Sequence, residues 1–243
     1  MKISELFFSI QGEGKRSGLP SFFIRTNHCN LRCRFSGGNL CDTAYTSWFP
    51  DDKNNLGEAD ISEVIGDYKK YFSKDIVITG GEPAMYGDEI EKLCMGLKQL
   101  NPECFITLET NGTYSGDFLK LIDLISISPK LKSSVPFETE FEKMHERNRI
   151  NVNALMEICR LSENKICDVQ WKFVFTGDDD INEISKLQKT IGFKNEDVYL
   201  MPEGITKKEI DSKRLRVIEV CLKNNFNFTD RLHILAWGNK RGI

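Results

Sequence analysis

The sequence predicts an α/β fold, an incomplete (β/α) barrel with roughly six core strands, because a full eight-unit barrel needs about 250 residues. Three observations carry this prediction. Short β-rich runs alternate with helical patterns, the mark of βα units with parallel strands. One apolar run ends in the glycine pair Gly80-Gly81, at the strand end where βα architectures place their ligands. The 243 residues, 40% of them hydrophobic, can bury one sizeable core, and nothing marks a second, so residues 1–243 read as one domain.

Along the chain, β-rich runs fall at 3–9, 21–26, 75–79, 104–109, 124–128, 169–175, 197–201 and 231–236. From Asp60 onward, Ile61, Val64, Ile65, Tyr68 and Phe72 share one helical face, and Asp60 with Glu63 resembles a capping pair. Further helices are predicted at 87–99, 114–122, 149–162, 180–191 and 206–225 from apolar spacing near 3.6. The stretches 34–57 and 131–149 are polar and aperiodic and read as loops, with 130–135 a solvated one.

The 33 basic and 36 acidic residues are intermingled and sum to a net charge of −3, which leaves no footprint for nucleic acid or an anionic membrane. A small molecule is the expected partner. No run approaches the roughly 18 apolar residues of a membrane span, and the N-terminus lacks a basic, then apolar, leader. The expected location is therefore cytoplasmic.

Eight cysteines in a chain of this length point to metal or thiol chemistry rather than to a disulfide scaffold. Cys94, Cys104, Cys159, Cys167 and Cys221 stand singly among apolar neighbours, as small core residues do. Cys29, Cys33 and Cys41 instead crowd one loop, about 28–57. Three thiolates suit a [4Fe–4S] cluster and leave its fourth iron open for another ligand. Zinc is the alternative; a closed zinc site needs a fourth ligand, for which His28 is the nearby candidate. The strand Ile76-Val77-Ile78-Thr79 then runs into Gly80-Gly81-Glu82-Pro83, whose glycines let a ligand approach the backbone and whose Glu82 and carbonyls suit a cationic amino group.

With these two features the chain resembles the radical S-adenosylmethionine enzymes. The likeness covers nearly the whole chain. It rests on Ser9-Ile10-Gln11-Gly12-Glu13-Gly14, Phe23-Ile24-Arg25-Thr26, Cys41-Asp42-Thr43, Thr79-Gly80-Gly81-Glu82-Pro83, Glu109-Thr110-Asn111-Gly112, Ser126-Ile127-Ser128-Pro129-Lys130 and the ending from Leu232 to Gly242. The first and last of these resemble the branch that converts 6-carboxy-5,6,7,8-tetrahydropterin to 7-carboxy-7-deazaguanine, with loss of ammonia, for queuosine-type deazapurines. The cluster loop departs from the superfamily, whose common spacing is C-x3-C-x2-C, for here it is C-x3-C-x7-C. Counting the common spacing lands on Ser36, but the Asp-Thr pair follows Cys41, so residues 34–40 read as an expansion and Cys41 as the third ligand.

The resemblance implies an incomplete, modified barrel of the radical S-adenosylmethionine type. It implies that Cys29, Cys33 and Cys41 hold three irons, while the amino and carboxylate groups of S-adenosylmethionine chelate the fourth. Gly81, Glu82, Ser128, Pro129 and Lys130 would line the cofactor, with Leu40 and Asp42 near its adenosine; Glu109 and Asn111 would orient ribose or cap a turn. Ile10, Gln11 and Gly12 would read the pterin edge with Thr79, and Arg25 would take the substrate carboxylate, a contact its planar fork makes better than lysine can. Thr43 would bind Mg2+. An electron-donating reductase or flavodoxin-type protein and a homodimer are implied as partners. His233, Trp237 and Arg241 in the tail are expected to pack rather than to act as a lid, and His145 has no expected role. A radical-activating enzyme for a glycyl-radical partner protein and a zinc-stabilised binding module remain as other readings.

Overall fold

A computed structural model describes residues 1–243. In chain order the elements are β1 (Lys2–Ile10), β2 (Pro20–Thr26), α1 (Ala44–Ser47), β3 (Gly57–Glu58), α2 (Ile61–Tyr68), β4 (Asp75–Gly80), α3 (Gly87–Leu100), β5 (Phe105–Thr110) and β6 (Leu124–Ile127). They continue with α4 (Glu142–Asn148), α5 (Val152–Glu163), β7 (Asp168–Phe175), α6 (Asp178–Ile191), β8 (Val198–Pro202), α7 (Lys207–Asn224), β9 (Asn227–Phe228) and α8 (Leu232–Trp237). All strands join one open sheet in the order β3-β1-β2-β4-β5-β6-β7-β8-β9. From β2 to β9 every pairing is parallel. Six longer parallel strands, β2 and β4 to β8, form the core of this unclosed barrel, as expected.

Four local expectations are corrected. The first run is not part of a βα unit: β1 pairs antiparallel with β2, because residues 11–19 are too few for a crossover, which takes a dozen or more. The turn closes through Gln11 N–H to the Leu19 carbonyl at 2.8 Å, with Gly14 and Gly18 at positive φ. The run at 231–236 is helix α8 instead of a strand; the two-residue β9 already occupies the sheet edge, and a short apolar run does not tell the two apart. The segment 131–149 is not all loop, since it holds α4, and 130–135 is not solvated throughout, since Leu131, Ser134 and Val135 are buried. The helix expected at 114–122 shrinks to one 3-10 turn, Asp117–Leu121.

The strands alternate in a way that makes the site. One face of the sheet carries Phe22, Ile24, Ile76, Ile78, Ile106, Leu108, Ile125, Ile127, Trp171 and Phe173 into a single large core beneath the helices. Each such side chain contributes roughly 1.5–3 kcal/mol on burial. The opposite, concave face bears Arg25, Thr79, Glu109, Ser126, Gln170 and Lys172. Register aligns them, with Arg25 opposite Thr79, Glu109 opposite Ser126, and Ser126 opposite Gln170. Phe7, Phe23 and Val77 form a small apolar cluster on that face, with the Phe7 and Phe23 rings stacked at 4.8 Å.

Candidate active site

A cavity of about 760 Å3 opens on the concave face at the C-terminal ends of the parallel strands. Of the residues predicted from sequence, Ile10, Gln11, Gly12, Arg25, Cys29, Cys33, Leu40, Cys41, Asp42, Thr43, Thr79, Gly81, Glu109, Asn111, Ser128 and Lys130 all line it. Glu82 and Pro129 do not. Glu82 is fully buried, accepting hydrogen bonds from Ala84 N–H at 3.0 Å, Thr110 Oγ1 at 2.6 Å and Asn111 N–H at 2.6 Å. Its carboxylate thus ties the end of β4 to the end of β5, and the ligand face of this turn is left to Gly80 and Gly81. A Cβ at Gly81 would collide with the His28 carbonyl, so only glycine lets the strand end approach the cysteine loop this closely.

The expanded loop resolves itself locally. Residues 34–40 fold into a small hairpin, bridged at Arg34 and Leu40 and tightened by Phe35 N–H to the Asn39 carbonyl at 2.8 Å. Ser36 sits exposed at its tip, outside the cavity. At the base, Cys41 N–H donates to the Cys33 carbonyl at 3.1 Å, which brings the two cysteines together across the insertion. The amide of Asn39 fastens the hairpin to Glu203 at 2.9 Å and Glu209 at 3.1 Å.

All eight cysteines are free thiols. Burial, aided by the Glu82 carboxylate, pushes the Cys29 thiol up to about 12. Burial also raises Cys33, against the pull of the Lys130 ammonium, and raises Cys41, together with Asp42. One buried and two half-buried thiols that resist ionisation need positive charge to become thiolates, and iron would supply it. His28, the fourth ligand a zinc site would need, lies outside the cavity. The donor set therefore fits a [4Fe–4S] cluster with one open iron.

A network of buried charges, which the sequence does not reveal, forms one wall of the cavity. Lys172 donates to Glu13 at 2.6 Å and lies 3.7 Å from Glu109. Arg231 donates to Glu13 at 3.0 Å and also pairs with Asp42, next to Cys41. Burial alone would raise Glu13, but Lys172, Arg231 and His233 outweigh it and hold the carboxyl well below its usual range. Glu109 further accepts from Gln11 Nε2 at 3.1 Å and Thr79 Oγ1 at 2.8 Å, so it joins the pair expected to read substrate. Asn111 caps a turn, its Oδ1 accepting Thr113 N–H at 2.9 Å, while its amide donates to Asn30 beside Cys29 at 2.9 Å. The Arg25 side chain, which lines the cavity, makes one hydrogen bond to the chain, from Nε to Glu5 at 2.9 Å, and its terminal nitrogens make none. In the tail, Arg241 packs as expected, bonding Glu5 at 2.6 Å with its guanidinium 4.1 Å from the Tyr45 ring, but it and His233 also line the cavity.

Comparison with known proteins decides the family. The Radical SAM superfamily profile matches residues 23–187. A 7-carboxy-7-deazaguanine synthase of Halobacterium salinarum is 37% identical over 98% of this chain and 91% of its own length. The chain belongs to the radical SAM superfamily and to its 7-carboxy-7-deazaguanine synthase branch. The synthase of Rhodopirellula baltica is 35% identical over 99% of this chain and 88% of its own. That of Pyrobaculum aerophilum is 29% identical over 100% and 97%. The crystal structure of QueE from Escherichia coli has the same fold, with a TM-score of 0.67 at 22% identity over 96% of this chain and 94% of that one. The chain is thus a radical SAM enzyme, a class that works with a [4Fe–4S] cluster and S-adenosylmethionine, and neither the glycyl-radical activator nor the zinc module is favoured.

Proposed function

We propose that the enzyme converts 6-carboxy-5,6,7,8-tetrahydropterin to 7-carboxy-7-deazaguanine, with Cys29, Cys33 and Cys41 holding the cluster and residues 1–243 acting as one domain around the cavity. A cluster held by Cys29, Cys33 and Cys41 would supply the electron for reductive cleavage of S-adenosylmethionine. The chain's own task is to orient and shelter. Gly80 and Gly81 give the cofactor's methionine end close backbone access, and Ser128 with Lys130, joined at 2.9 Å, extend that wall. Leu40 and Asp42 flank the adenosine end.

The observation that carries the substrate reading is Arg25. Its side chain is mostly buried, held by Glu5 at Nε, with the terminal nitrogens free for a two-pronged grip on a carboxylate. Beside it, Gln11, Thr79 and Glu109 form one hydrogen-bonded set of donors and acceptors suited to a pterin edge. Ile10 and Gly12 add backbone groups. Thr43, whose hydroxyl lies 3.3 Å from the Cys41 sulfur, is the proposed protein ligand for Mg2+, which would supply Lewis-acid stabilisation of substrate oxygen. A reductase or flavodoxin-type donor, a homodimer and a cytoplasmic location complete the reading; no helix is long and apolar enough to cross a membrane.

The test is anaerobic incubation of the reconstituted enzyme with reductant, S-adenosylmethionine, Mg2+ and the carboxytetrahydropterin, followed by mass spectrometry. The carboxy-deazapurine is the expected product. Cleavage of S-adenosylmethionine without it would sink the substrate assignment and leave the superfamily intact.

A further inference from the structure

His145 has no part in the chemistry described above, yet its ring is fully buried while its neighbours Glu146 and Arg147 face solvent. Both ring nitrogens are engaged. Nδ1 accepts the backbone N–H of Arg32 at 3.1 Å, and Nε2 lies 3.2 Å from Ser134 Oγ. The Ser134 hydroxyl proton is committed to the Leu131 carbonyl at 2.7 Å, so Oγ receives its bond from the ring. These partners assign the neutral tautomer with hydrogen on Nε2 and a lone pair on Nδ1 facing Arg32. Burial, reinforced by Lys130 and Arg149, pushes the ring's pKa down to about 4, which keeps that lone pair available at neutral pH.

Arg32 lies inside the short interval between Cys29 and Cys33. Its guanidinium folds back to the Cys29 carbonyl at 2.8 Å and the Leu31 carbonyl at 3.0 Å, and the next amide along the turn, Leu31 N–H, donates to the Cys29 sulfur at 3.4 Å. Other contacts fasten the cysteine loop to segment 131–149: Arg34 N–H to the Ser134 carbonyl at 3.0 Å, the edge-to-face pair of Trp48 and Phe141 at 5.4 Å, and the Arg32 guanidinium over the Phe141 ring at 5.4 Å. Of these, the His145 bond alone takes hold of the backbone of the turn between the first two cysteines, whereas Phe141 meets only the Arg32 side chain. Behind His145, Ser134 and Leu131 lead directly to Lys130, the ammonium that eases ionisation of Cys29 and Cys33.

We infer that His145 is a positioning residue for the iron–sulfur cluster: through Arg32 N–H it fixes the Cys29–Cys33 turn from behind and so sets the aim of both thiolates and of the amide bonded to Cys29. Hydrogen bonds to cluster sulfurs tune the reduction potential, so a loosened turn alters the spectrum of the reduced cluster and the hold on iron. The inference rests on the reading of these cysteines as ligands.

Two substitutions separate the ends of the ring in the full chain. His145→Asn keeps an acceptor where Nδ1 stands, and His145→Gln keeps a donor where Nε2 stands. Hydrogen exchange of the apo protein reads the Arg32 amide directly; reconstituted protein gives the rate of iron loss to a chelator and the paramagnetic resonance signal of the reduced cluster. His145→Asn is expected to match the unsubstituted protein in all three. His145→Gln is expected to speed Arg32 exchange about tenfold and iron loss about 10- to 100-fold, with a changed signal. Equal behaviour of the two variants overturns the inference, as does an altered melting temperature with Arg32 protection and the signal unchanged. If the unsubstituted protein takes up no cluster, the ligand reading falls and the inference with it, and the exchange data show whether the Arg32 clamp itself exists.

Discussion

Replacing Arg231 with leucine should weaken the protein through one buried network. The guanidinium is 5% exposed and serves Glu13, Asp42 and the Gly204 carbonyl at once. Breaking a buried ion pair by removing one partner costs about 3–5 kcal/mol. Two features lower that figure here. Glu13 keeps Lys172 at 2.6 Å, and Asp42, 33% exposed, can be hydrated in place of its lost partner. A loss of about 2–3 kcal/mol remains, or a fall of roughly 5–10 °C in Tm for a chain of this size. Thermal unfolding of the apo protein by circular dichroism measures it. A double-mutant cycle with Asp42→Asn isolates the contact with the cluster loop and should return a coupling of about 1–2 kcal/mol. A Tm within about 2 °C of the parent for Arg231→Leu, or additivity in the cycle to within about 0.5 kcal/mol, would refute the network as described.

Four further outcomes are expected. Cys41→Ala should abolish cluster uptake on reconstitution, whereas Ser36→Ala should leave iron content unchanged; the reverse would overturn the alignment of the expanded loop. Arg25→Lys should raise KM for the carboxytetrahydropterin about tenfold while kcat changes less, since lysine cannot make the two-pronged contact; steady-state kinetics decide between this and a loss confined to kcat. Gly81→Ala should cost about 1–3 kcal/mol and displace the cysteine loop, seen as weaker S-adenosylmethionine binding in a calorimeter, and unchanged binding would show that the strand end tolerates a methyl group. Stability should fall with acid in two stages. His145, buried neutral against Lys130 and Arg149, is protonated in the unfolded chain from about pH 6.5, so its contribution is lost as pH drops toward 4. Glu13, held low by Lys172 and Arg231 despite burial, adds a second loss below its ordinary value of 4.5. Melting curves of His145→Asn and Glu13→Gln that keep both stages would contradict this assignment.

Signals that lie within one short stretch of chain were legible from sequence: the seven longer strands from β1 to β8, the capping pair at α2, the cysteine loop and the glycine-ended strand. Their physical causes act over a few residues. The antiparallel β1, the helical α8 and the packed segment 131–149 were not, because each depends on what the element meets. The β1 turn is decided by a hairpin too short to cross over, and α8 by a sheet edge already taken by β9. The site divides the same way. Cys29, Cys33, Cys41, Gly81 and Arg25 announce themselves by residue type in a motif, but Glu82 turned out to brace the strand ends rather than line the cavity.

By itself, then, the sequence determined the alternation of the strands, the cysteine loop and hence the kind of chemistry, because residue type and spacing suffice for those. Only the tertiary structure decided how the charges are matched. Lys172 and Arg231 lie 159 and 218 residues from Glu13, and His145 lies 113 from Arg32. A lysine in a strand or a histidine in a polar segment carries no local mark of its partner; its energy comes from burial beside a group that only the folded chain brings within 3.1 Å.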